Sequence, residues 1–352
     1  MEDRIFEGRW VMAPEATSAT ALVQLLRVRD GLIVHQALYA AAKLGVADLL
    51  KDGPRTTTEL AGQLQVNESA LHRVLRALAS CGIFEETSPR IFANNASSNY
   101  LRTGVPGSVR SMVIFWGTET YYRPFGEILY SIQTGQAARP KVLGMDGWEY
   151  LQQNPEMARI FDDAMTDLSA LVGPVIASAY DFGKWDSIMD VGGGNGILLA
   201  AILKAHRRLR GVLADLPHVL ERAQERAFLS GELEARSAME PCDFLREVPS
   251  GCRAYVMKHV IHDWDDEHAH IILANCRRAV PRDGALVLVE WALPEGNLPS
   301  AGKLLDVVML LMTGGKERTV EEYDELLARA GFRLNQVVTT STDLSIIEAL
   351  PS

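Results

Sequence analysis

The sequence predicts an α/β protein in which a mostly helical N-terminal region precedes a doubly wound, mostly parallel sheet. From about residue 182 onward, short β-rich runs alternate with amphipathic helical stretches, the pattern of a parallel sheet covered on both faces. Upstream of that point, apolar residues recur mainly at helical spacing. The length of 352 residues suits about two domains.

The predicted sheet has seven strands. Five β-rich runs are candidate strands: Ser187–Val191, Gly211–Leu216, Leu233–Ser237, Arg253–Val260 and Ala285–Trp291. Three helical stretches lie between them: Ile197–Ala205, His218–Leu229 and Glu267–Val280. After a helix at Val320–Ala330, the runs Leu334–Thr339 and Leu344–Leu350 lie close together, which is typical of a hairpin at one edge of the sheet.

The N-terminal region begins with a long helical pattern. Apolar residues recur at helical spacing from Leu22 to Leu50, and Gly53-Pro54 ends the run. Thr56 and Glu59 fit a capping box that opens a short helix. Asn67 fits the cap of the next helix. Two short helices in succession are therefore expected here.

The strand predicted at Ile83–Glu86 completes the pattern of a winged helix. If this module bound DNA, His72, Arg73 and Arg76 on its second helix would contact phosphates. Lys and Arg number 35 against 45 Asp and Glu, for a formal net charge of −10. This charge opposes binding to nucleic acid or to anionic lipid. We therefore expect a packing or dimerisation module and no nucleic-acid partner.

The cysteines and the apolar runs favour a cytoplasmic protein. The four cysteines form no CxxC pair, so reduced thiols are expected. Met1–Arg4 lacks the basic-then-apolar pattern of a signal peptide. The longest apolar runs, such as Leu304–Met312, are shorter than the ~20 residues of a membrane span. Neither secretion nor membrane insertion is expected.

The strongest local signal is the glycine-rich segment Asp190–Gly196 (DVGGGNG), between a predicted strand and a helix. Glycines there let a ligand approach the main chain, and the helix offers free N–H donors. The spacing from Gly192 is G-x-G-x-G and not the G-x-G-x-x-G of dinucleotide sites. Asp215, at the end of the next strand, can accept both hydroxyls of a ribose. The pair favours an adenosine cofactor without a pyrophosphate, of which S-adenosylmethionine is the commonest; the alternative is a structural turn with Asp215 as a helix cap.

Five segments in order resemble one enzyme family: Asp190–Gly196, Asp215–Val219, Cys242–Leu245, His262–Trp264 and Gly314–Thr319. They are similar to the S-adenosylmethionine-dependent small-molecule O-methyltransferases, which include caffeate, acetylserotonin and bacterial polyketide enzymes. The resemblance runs from about Leu22 to Leu350. It implies a Rossmann-like methyltransferase fold, S-adenosyl-L-methionine as cofactor and a homodimer formed through the N-terminal domain. The expected division is 1–104 for winged-helix dimerisation, 105–180 for a helical linker and substrate pocket, and 181–352 for cofactor binding.

The resemblance also implies which residues contact the cofactor. Asp215 would hold the ribose, Asp243 and Phe244 would border the adenine, and Ser169 would bond the methionine end. The full set of implied cofactor residues is Ser169, Asp190, Gly192, Gly194, Asp215, Leu216, Asp243, Phe244, Lys258 and His259.

His262 is the candidate general base, since it follows a predicted strand at the end where ligands bind. An imidazole with the usual pKa of ~6.5 is mostly neutral at pH 7. A phenol has a pKa near 10, so full proton transfer to that imidazole costs about 5 kcal/mol. A carboxylate would stabilise the imidazolium, and the resemblance points to Glu290 and Glu317.

Two other readings of this segment are open. His259 is a rival base, although in an extended chain its ring would point to the opposite face from that of His262. The acidic and histidine residues here also resemble a metal cluster: Asp263, Asp265, Asp266, Glu267, His268 and His270. Acids that open a helix are the simpler explanation, so no metal is expected, which disfavours a magnesium-dependent methyltransferase.

The expected acceptor is a small aromatic hydroxyl compound in a pocket lined by aromatic and methionine side chains. The resemblance assigns that lining to Phe161, Met165, Met309 and Met312, with Asp306 nearby. Met309 and Met312 share a helix face, a pattern that core packing also explains. Three alternatives remain: the same fold with N- or C-methylation or non-methylating chemistry, a ligand-sensing winged-helix regulator, and a nicotinamide dehydrogenase, which the glycine spacing disfavours.

Overall fold

The computed structural model of the chain describes residues 18–352, with side chains described from Val23 onward. These residues form two compact units. The C-terminal unit comprises Arg123–Gln153 and Ser169–Ser352, and the N-terminal unit comprises the residues up to Tyr122 together with Asn154–Leu168. The expectation about a signal peptide rests on Met1–Arg4, which lie outside the described residues. Between residues 18 and 352, no helix has both the length and the apolar character of a membrane span.

The N-terminal unit is mostly helical, as predicted. Its helices are α1 (Ser18–Leu44), α2 (Val46–Leu49), α3 (Thr57–Leu64), α4 (Glu68–Ser80), α5 (Ala96–Asn99), α6 (Arg110–Trp116) and α7 (Glu119–Tyr122). Its strands β1 (Arg55–Thr56), β2 (Glu85–Ser88) and β3 (Ile91–Ala93) form a sheet in the order β1-β3-β2. Both predicted caps are present, because Thr56 and Glu59 form the capping box and Asn67 accepts a hydrogen bond from the Ala70 amide.

The strand predicted at Ile83–Glu86 begins two residues later than expected. Ile83 and Phe84 form the connection that follows α4, and Phe84 is only 2% exposed. The apolar pair that suggested a strand is therefore an anchor in the core of the N-terminal unit.

The part of α1 between Val23 and Ile33 exposes large apolar side chains, although the helix also packs on α4 and α6. The exposed residues are Val23, Leu25, Leu26, Val28, Leu32 and Ile33. Leu25 is 70% exposed and Ile33 is 62% exposed. Contiguous apolar surface of this kind marks an interaction site in soluble proteins.

The C-terminal unit alternates helices and strands. Helices α8 (Ile128–Thr134), α9 (Ala138–Leu143) and α10 (Gly147–Gln153) precede α11 (Pro155–Ala179), whose residues are shared between the two units. The helices that follow are α12 (Ile197–Ala205), α13 (Pro217–Arg226), α14 (Asp266–Ala279), α15 (Ala301–Met312) and α16 (Val320–Arg329). Short 3-10 helices lie at Arg123–Glu127, Phe182–Lys184, Gly231–Arg236 and Ile261–Asp263.

The seven strands of this unit form one sheet, which confirms the predicted fold class. They are β4 (Ser187–Val191), β5 (Arg210–Asp215), β6 (Ser237–Pro241), β7 (Ala254–Lys258), β8 (Ala285–Glu290), β9 (Phe332–Thr339) and β10 (Ser345–Pro351). The order is β6-β5-β4-β7-β8-β10-β9. The strands from β6 to β8 pair in parallel, and β10 pairs antiparallel with both β8 and β9. The carboxyl ends of β4, β5, β7 and β8 therefore meet at one edge.

The strand predicted at Leu233–Ser237 is wrong in its position. Leu233 is 1% exposed in the 3-10 helix Gly231–Arg236, and the strand begins only at Ser237. Because β6 lies at the edge of the sheet, most of its side chains are exposed. It lacks the apolar run by which a central strand is recognised, and Pro241 suits such an edge.

All four cysteines are free thiols, of which three are buried: Cys242, Cys252 and Cys276. Burial raises the pKa of Cys242 to about 12, and nearby acidic groups add to the effect. Burial likewise raises the pKa of Cys252 to about 11 and that of Cys276 to about 12. Cys81 is exposed at the end of α4.

Candidate active site

The glycine-rich segment Asp190–Gly196, called the glycine turn below, connects β4 to α12 as predicted. Gly193 is required by close packing. A Cβ atom at this position would lie 2.5 Å from Leu213 Cδ1 and 2.6 Å from Asp190 Cγ, closer than real Cβ atoms approach. Gly192 and Gly194 have positive φ angles of 71° and 57°, which glycine adopts without strain.

Asp190 is an unusual residue for the inside of a sheet. It is 1% exposed, and neither of its carboxylate oxygens has a hydrogen-bond partner of good geometry among the described residues. Burial raises its pKa to about 7, the positive charge of Lys258 opposes that shift, and the charge of Asp215 adds to it. A buried acceptor without a well-placed donor is costly, which makes Asp190 a candidate contact for a ligand.

Asp215 lies at the end of β5 and is tied to the glycine turn. Its Oδ2 accepts a hydrogen bond from the Gly194 amide at 2.9 Å, and its Oδ1 accepts one from the Leu216 amide at 2.7 Å. These bonds fix the carboxylate beside the turn. Asp215 thus lies where the sequence places a ribose ligand.

Phe244 lies against the other side of the glycine turn. A Cβ atom on Gly192 would lie 3.3 Å from the Phe244 ring, and that ring packs edge-on against Trp264 with centroids 6.1 Å apart. Asp243 accepts a hydrogen bond from the Leu245 amide at 3.2 Å. Ser169, in α11, is 7% exposed. The glycine turn, the unpaired Asp190 carboxylate and the aromatic wall together fit an adenosine cofactor.

The second cluster surrounds a short turn after β7, Val260–Trp264, called the His262 turn below. His262 is 6% exposed. Its Nδ1 lies 2.6 Å from Glu317 Oε1 and 4.0 Å from Glu290 Oε2. Glu290, the last residue of β8, accepts hydrogen bonds through Oε1 from the amides of Val260 and Ile261. The structure therefore brings together the three residues predicted to be catalytic.

Glu317 reaches His262 because its segment packs tightly on the His262 turn. A Cβ atom on Gly315 would lie 2.0 Å from the carbonyl oxygen of His262. The Glu317 amide donates a hydrogen bond to Asp306 Oδ1 at 2.9 Å. Asp306, which was predicted near the acceptor pocket, accepts a hydrogen bond that supports Glu317.

Arg318, which is 0% exposed, connects the Glu317 segment to the His262 turn. Its guanidinium donates hydrogen bonds to the carbonyl oxygens of Ile261 and Trp264, on either side of His262. It also binds Asp266 Oδ1 through Nε and Nη2, at 3.1 and 2.8 Å. Sequence reasoning missed the supporting roles of Gly315 and Arg318. The available signal was that both residues lie in Gly314–Thr319, one of the five segments that resemble the enzyme family.

The charges around His262 control its protonation. Burial alone would lower the pKa of its imidazole, but the negative charges of Asp263, Glu290 and Glu317 outweigh burial and raise the pKa to about 10. Burial raises the pKa of Glu290 to about 7 and that of Asp263 to about 6, and the charge of His262 opposes both shifts. The usual pKa of ~6.5 therefore does not apply to His262, because three acids surround it.

The His262–Glu317 distance favours a shared proton over a metal ion. One ligand atom from each of His262, Glu290 and Glu317 lies within 4.8 Å of the other two, a grouping that could hold a metal. Two ligands of a tetrahedral zinc ion lie about 3.3 Å apart, because each metal–ligand bond is about 2.0 Å. The 2.6 Å between Nδ1 and Oε1 is the length of a charge-assisted hydrogen bond instead.

The predicted orientation of His259 is wrong. Its ring stacks on that of His262, with centroids 5.1 Å apart and planes at 23°. The expectation assumed an extended chain, but His259 has a φ of 53° and a 3-10 helix follows it. Burial and the positive charges of Lys258 and His262 hold its pKa well below the usual range. Lys258 lies beside it, 3.4 Å from its Nδ1.

The residues predicted to line the acceptor pocket belong to different units. In the C-terminal unit, Met309 and Met312 lie on α15 and are 7% and 6% exposed. In the N-terminal unit, Phe161 and Met165 lie on α11, where the Phe161 ring packs edge-on against Phe115 with centroids 5.5 Å apart.

The fold and the two clusters define a class I methyltransferase, and comparison with known proteins places the chain in one family. Residues 125–333 match the model of the O-methyltransferase domain, and residues 26–104 match that of the O-methyltransferase dimerisation domain. The chain belongs to the O-methyltransferase family. It is accordingly an S-adenosylmethionine-dependent enzyme, which confirms the predicted family and cofactor.

Two relatives illustrate the chemistry within this similarity. The chain is 42% identical to the phenazine O-methyltransferase PhzM of Lysobacter antibioticus over 327 residues, covering 93% of this chain and 95% of that protein. It is 33% identical to the 8-amino-8-demethylriboflavin N,N-dimethyltransferase of Streptomyces davaonensis, covering 96% and 98% of the two chains. One name describes methylation of oxygen and the other methylation of nitrogen.

Solved structures agree with the fold. The crystal structure of LaPhzM superposes with a TM-score of 0.91 at 41% identity, covering 94% of this chain and 99% of that one. The O-methyltransferase NcsB1 of neocarzinostatin biosynthesis, crystallised with S-adenosylmethionine and 2-hydroxy-5-methyl naphthoic acid, superposes with a TM-score of 0.78 at 33% identity, covering 90% and 96%.

Proposed function

We propose that this enzyme transfers a methyl group to a hydroxyl of a small aromatic natural product, with His262 as the general base. One observation carries the proposal: Nδ1 of the buried His262 is held by Glu317. The other ring nitrogen, Nε2, is then the atom left to take a proton from an acceptor. Glu317 fixes the orientation of the ring, the usual role of a carboxylate behind a catalytic imidazole.

The charges at the His262 turn suit the deprotonation of a phenol. A phenol has a pKa of about 10, and the pKa of His262 is raised to about 10. Proton transfer from the phenol to Nε2 is then nearly balanced, whereas transfer to an ordinary imidazole costs about 5 kcal/mol. To accept this proton, His262 must first be in its neutral form. The neutral fraction of His262 increases as the pH rises.

The remaining residues of the site would bind the cofactor and orient it. When bound, S-adenosylmethionine supplies an electrophilic methyl group on a sulfonium sulfur. Asp215 would accept hydrogen bonds from the ribose, Asp190 would accept one through its unpaired carboxylate, and Phe244 would border the adenine. Because the electrophile belongs to the cofactor, the tasks of the protein are alignment, exclusion of water and removal of one proton.

Transfer to an aromatic amine is the second candidate, because a relative that covers nearly the whole chain is an N,N-dimethyltransferase. Matched acceptors separate the two reactions. Methyl-deuterated S-adenosylmethionine is incubated with paired phenols and anilines on benzene, naphthalene and phenazine rings, and products are detected by mass. We expect label on oxygen, in a reaction that depends on His262. Label on nitrogen only, in wild type and His262→Ala alike, would overturn the proposal.

We further propose that the chain acts as a homodimer through its N-terminal unit. The exposed apolar side chains of α1 and the match to a dimerisation domain support this. Leu25 and Ile33 are among the most exposed apolar side chains on that helix. Replacing both with Lys should yield a monomer in analytical ultracentrifugation, whereas a wild-type chain that already sediments as a monomer at micromolar concentration would contradict the proposal.

A further inference from the structure

Arg139, on α9, is a buried cation that no step above uses. It is 6% exposed, and its Nε is buried with no hydrogen-bond partner. A buried guanidinium with an unmet donor is costly unless an acceptor reaches it. Burial lowers its pKa, and the negative charges of Asp146 and Asp263 only partly oppose that shift.

The space around this guanidinium depends on a glycine. A Cβ atom on Gly147, the first residue of α10, would lie 2.8 Å from Arg139 Nη1 and 2.9 Å from Cζ. Any larger residue would compete with the guanidinium for the same volume. Asp146, next to it, uses Oδ1 to accept hydrogen bonds from the Trp148 and Glu149 amides at the start of α10.

Arg139 also interacts electrostatically with Asp263, the residue that follows His262. Asp263 Oδ1 is 3.9 Å from His262 Nε2, the nitrogen that faces away from Glu317. The positive charge of Arg139 opposes the rise in the pKa of Asp263, which burial still raises to about 6. In addition, α9 packs on α15, the helix that carries the buried Met309 and Met312. The helix that carries the unpaired donor therefore packs on the helix that carries two residues of the proposed acceptor pocket.

We propose that Arg139 binds an anionic group of the acceptor, so that the preferred substrates are aromatic hydroxy acids and not neutral phenols. A carboxylate can accept two parallel hydrogen bonds from a guanidinium, one of them from Nε. With the carboxylate held at Arg139, the hydroxyl of the same ring is presented to His262. This inference rests on the proposed function, since it names the substrate class of that site.

Methyl esters provide the sharpest test, because an ester keeps the shape of the acid and loses its charge. Each member of a panel of hydroxybenzoic and hydroxynaphthoic acids is compared with its own methyl ester. Binding is measured by calorimetry on the full-length protein saturated with S-adenosylhomocysteine, and kcat/KM is measured with S-adenosylmethionine. We expect wild type to bind at least one acid roughly 30-fold or more tightly than its ester, as for a buried charge pair.

Three variants assign that preference to Arg139. Arg139→Met should abolish the preference for the acid while changing ester binding by less than about threefold. Arg139→Lys should keep part of it, because an ammonium supplies charge without the planar fork. Gly147→Ala, which leaves Arg139 in the sequence but crowds its guanidinium, should weaken acid binding and covers the case in which Arg139→Met fails to fold.

A neighbouring cation on the same helix supplies the matched control. Lys141 pairs on the surface with Glu127 at 2.6 Å and is 45% exposed, so Lys141→Met should leave the acid-to-ester ratio unchanged. Two outcomes overturn the proposal: wild type binds no acid more tightly than its ester, or Arg139→Met weakens acid and ester equally. Because calorimetry needs no turnover, a failure of His262 as base would show separately, as unchanged kcat in His262→Ala with the acid preference intact.

Discussion

The glycine turn and the His262 turn follow neighbouring strands of one sheet, yet they are built in opposite ways. The glycine turn, after β4, is made of main chain brought close to its surroundings. Its conformation is fixed by the close packing at Gly193 and by one hydrogen bond from the Gly194 amide to Asp215. The His262 turn, after β7, is made of buried charges held by residues far away in sequence. The comparison teaches that the glycine turn is recognisable from consecutive residues, whereas the His262 turn is assembled from distant segments.

Removing the imidazole of His262 should distinguish the roles of the two turns most clearly. We expect His262→Ala to lower kcat by roughly 10²-fold or more, the usual contribution of a general base. The affinity for S-adenosylhomocysteine should stay near normal, because the glycine turn is untouched. His268→Ala removes a half-exposed histidine that pairs with Asp265 and serves as the control. Equal losses of cofactor affinity and kcat would mean that His262 is structural.

Disturbing the close packing of Gly315 against the His262 turn should also lower kcat, but by a smaller factor. Gly315→Ala places a methyl group against the His262 carbonyl, so the Glu317 segment must move. Displacement of about 1 Å can cost up to roughly 10²-fold in rate, and we expect kcat to fall by tens of fold with little change in cofactor affinity. Gly62→Ala, with open space around its Cβ, is the control. Wild-type kcat in Gly315→Ala would mean that the close packing is irrelevant to turnover.

The reverse experiment acts on the glycine turn. Asp215→Ala removes the carboxylate that holds Gly194 and that would accept the ribose hydroxyls. Hydrogen bonds to a charged group contribute about 1.5–3 kcal/mol, so the dissociation constant of S-adenosylhomocysteine should rise by roughly 10- to 100-fold. At saturating cofactor, kcat should recover to within a few-fold. An unchanged calorimetric affinity would remove Asp215 from the cofactor site.

The raised pKa of His262 should make turnover at the His262 turn depend on pH. Since the base must be neutral and its pKa is about 10, kcat/KM for a phenol should rise about tenfold for each pH unit between 7 and 9. The same shift stabilises the folded chain fully below about pH 6.5, and this contribution is lost as the pH rises through about 10. A profile that levels off near pH 6.5 would show that the acids around His262 do not control it.

Sequence reasoning predicted the glycine turn well and the His262 turn only in part. Residues Asp190–Gly196 are consecutive, so their pattern carries its own geometry. His262 and Glu317 are 55 positions apart, and only the family resemblance suggested that they meet. No spacing rule shows that Gly315 lies against the His262 carbonyl, or that Arg318 binds the carbonyls on both sides of His262.

The errors have local physical causes. The orientation of His259 was wrong because one residue with positive φ ends the extended chain before the alternation of side chains can continue. The position of β6 was wrong because an edge strand buries too little to show an apolar run. The fold class survived both errors, since it depends on the whole alternation of strands and helices and not on one boundary.

The distribution of the thiols has a practical consequence. With Cys242, Cys252 and Cys276 buried and their pKa values raised, a maleimide reagent at neutral pH should modify Cys81 selectively, since thiolates are the reactive form. Cys81 closes α4 in the N-terminal unit, outside both turns. A fluorophore could therefore be attached there without removing any native cysteine, and energy transfer between donor- and acceptor-labelled chains would test the proposed homodimer.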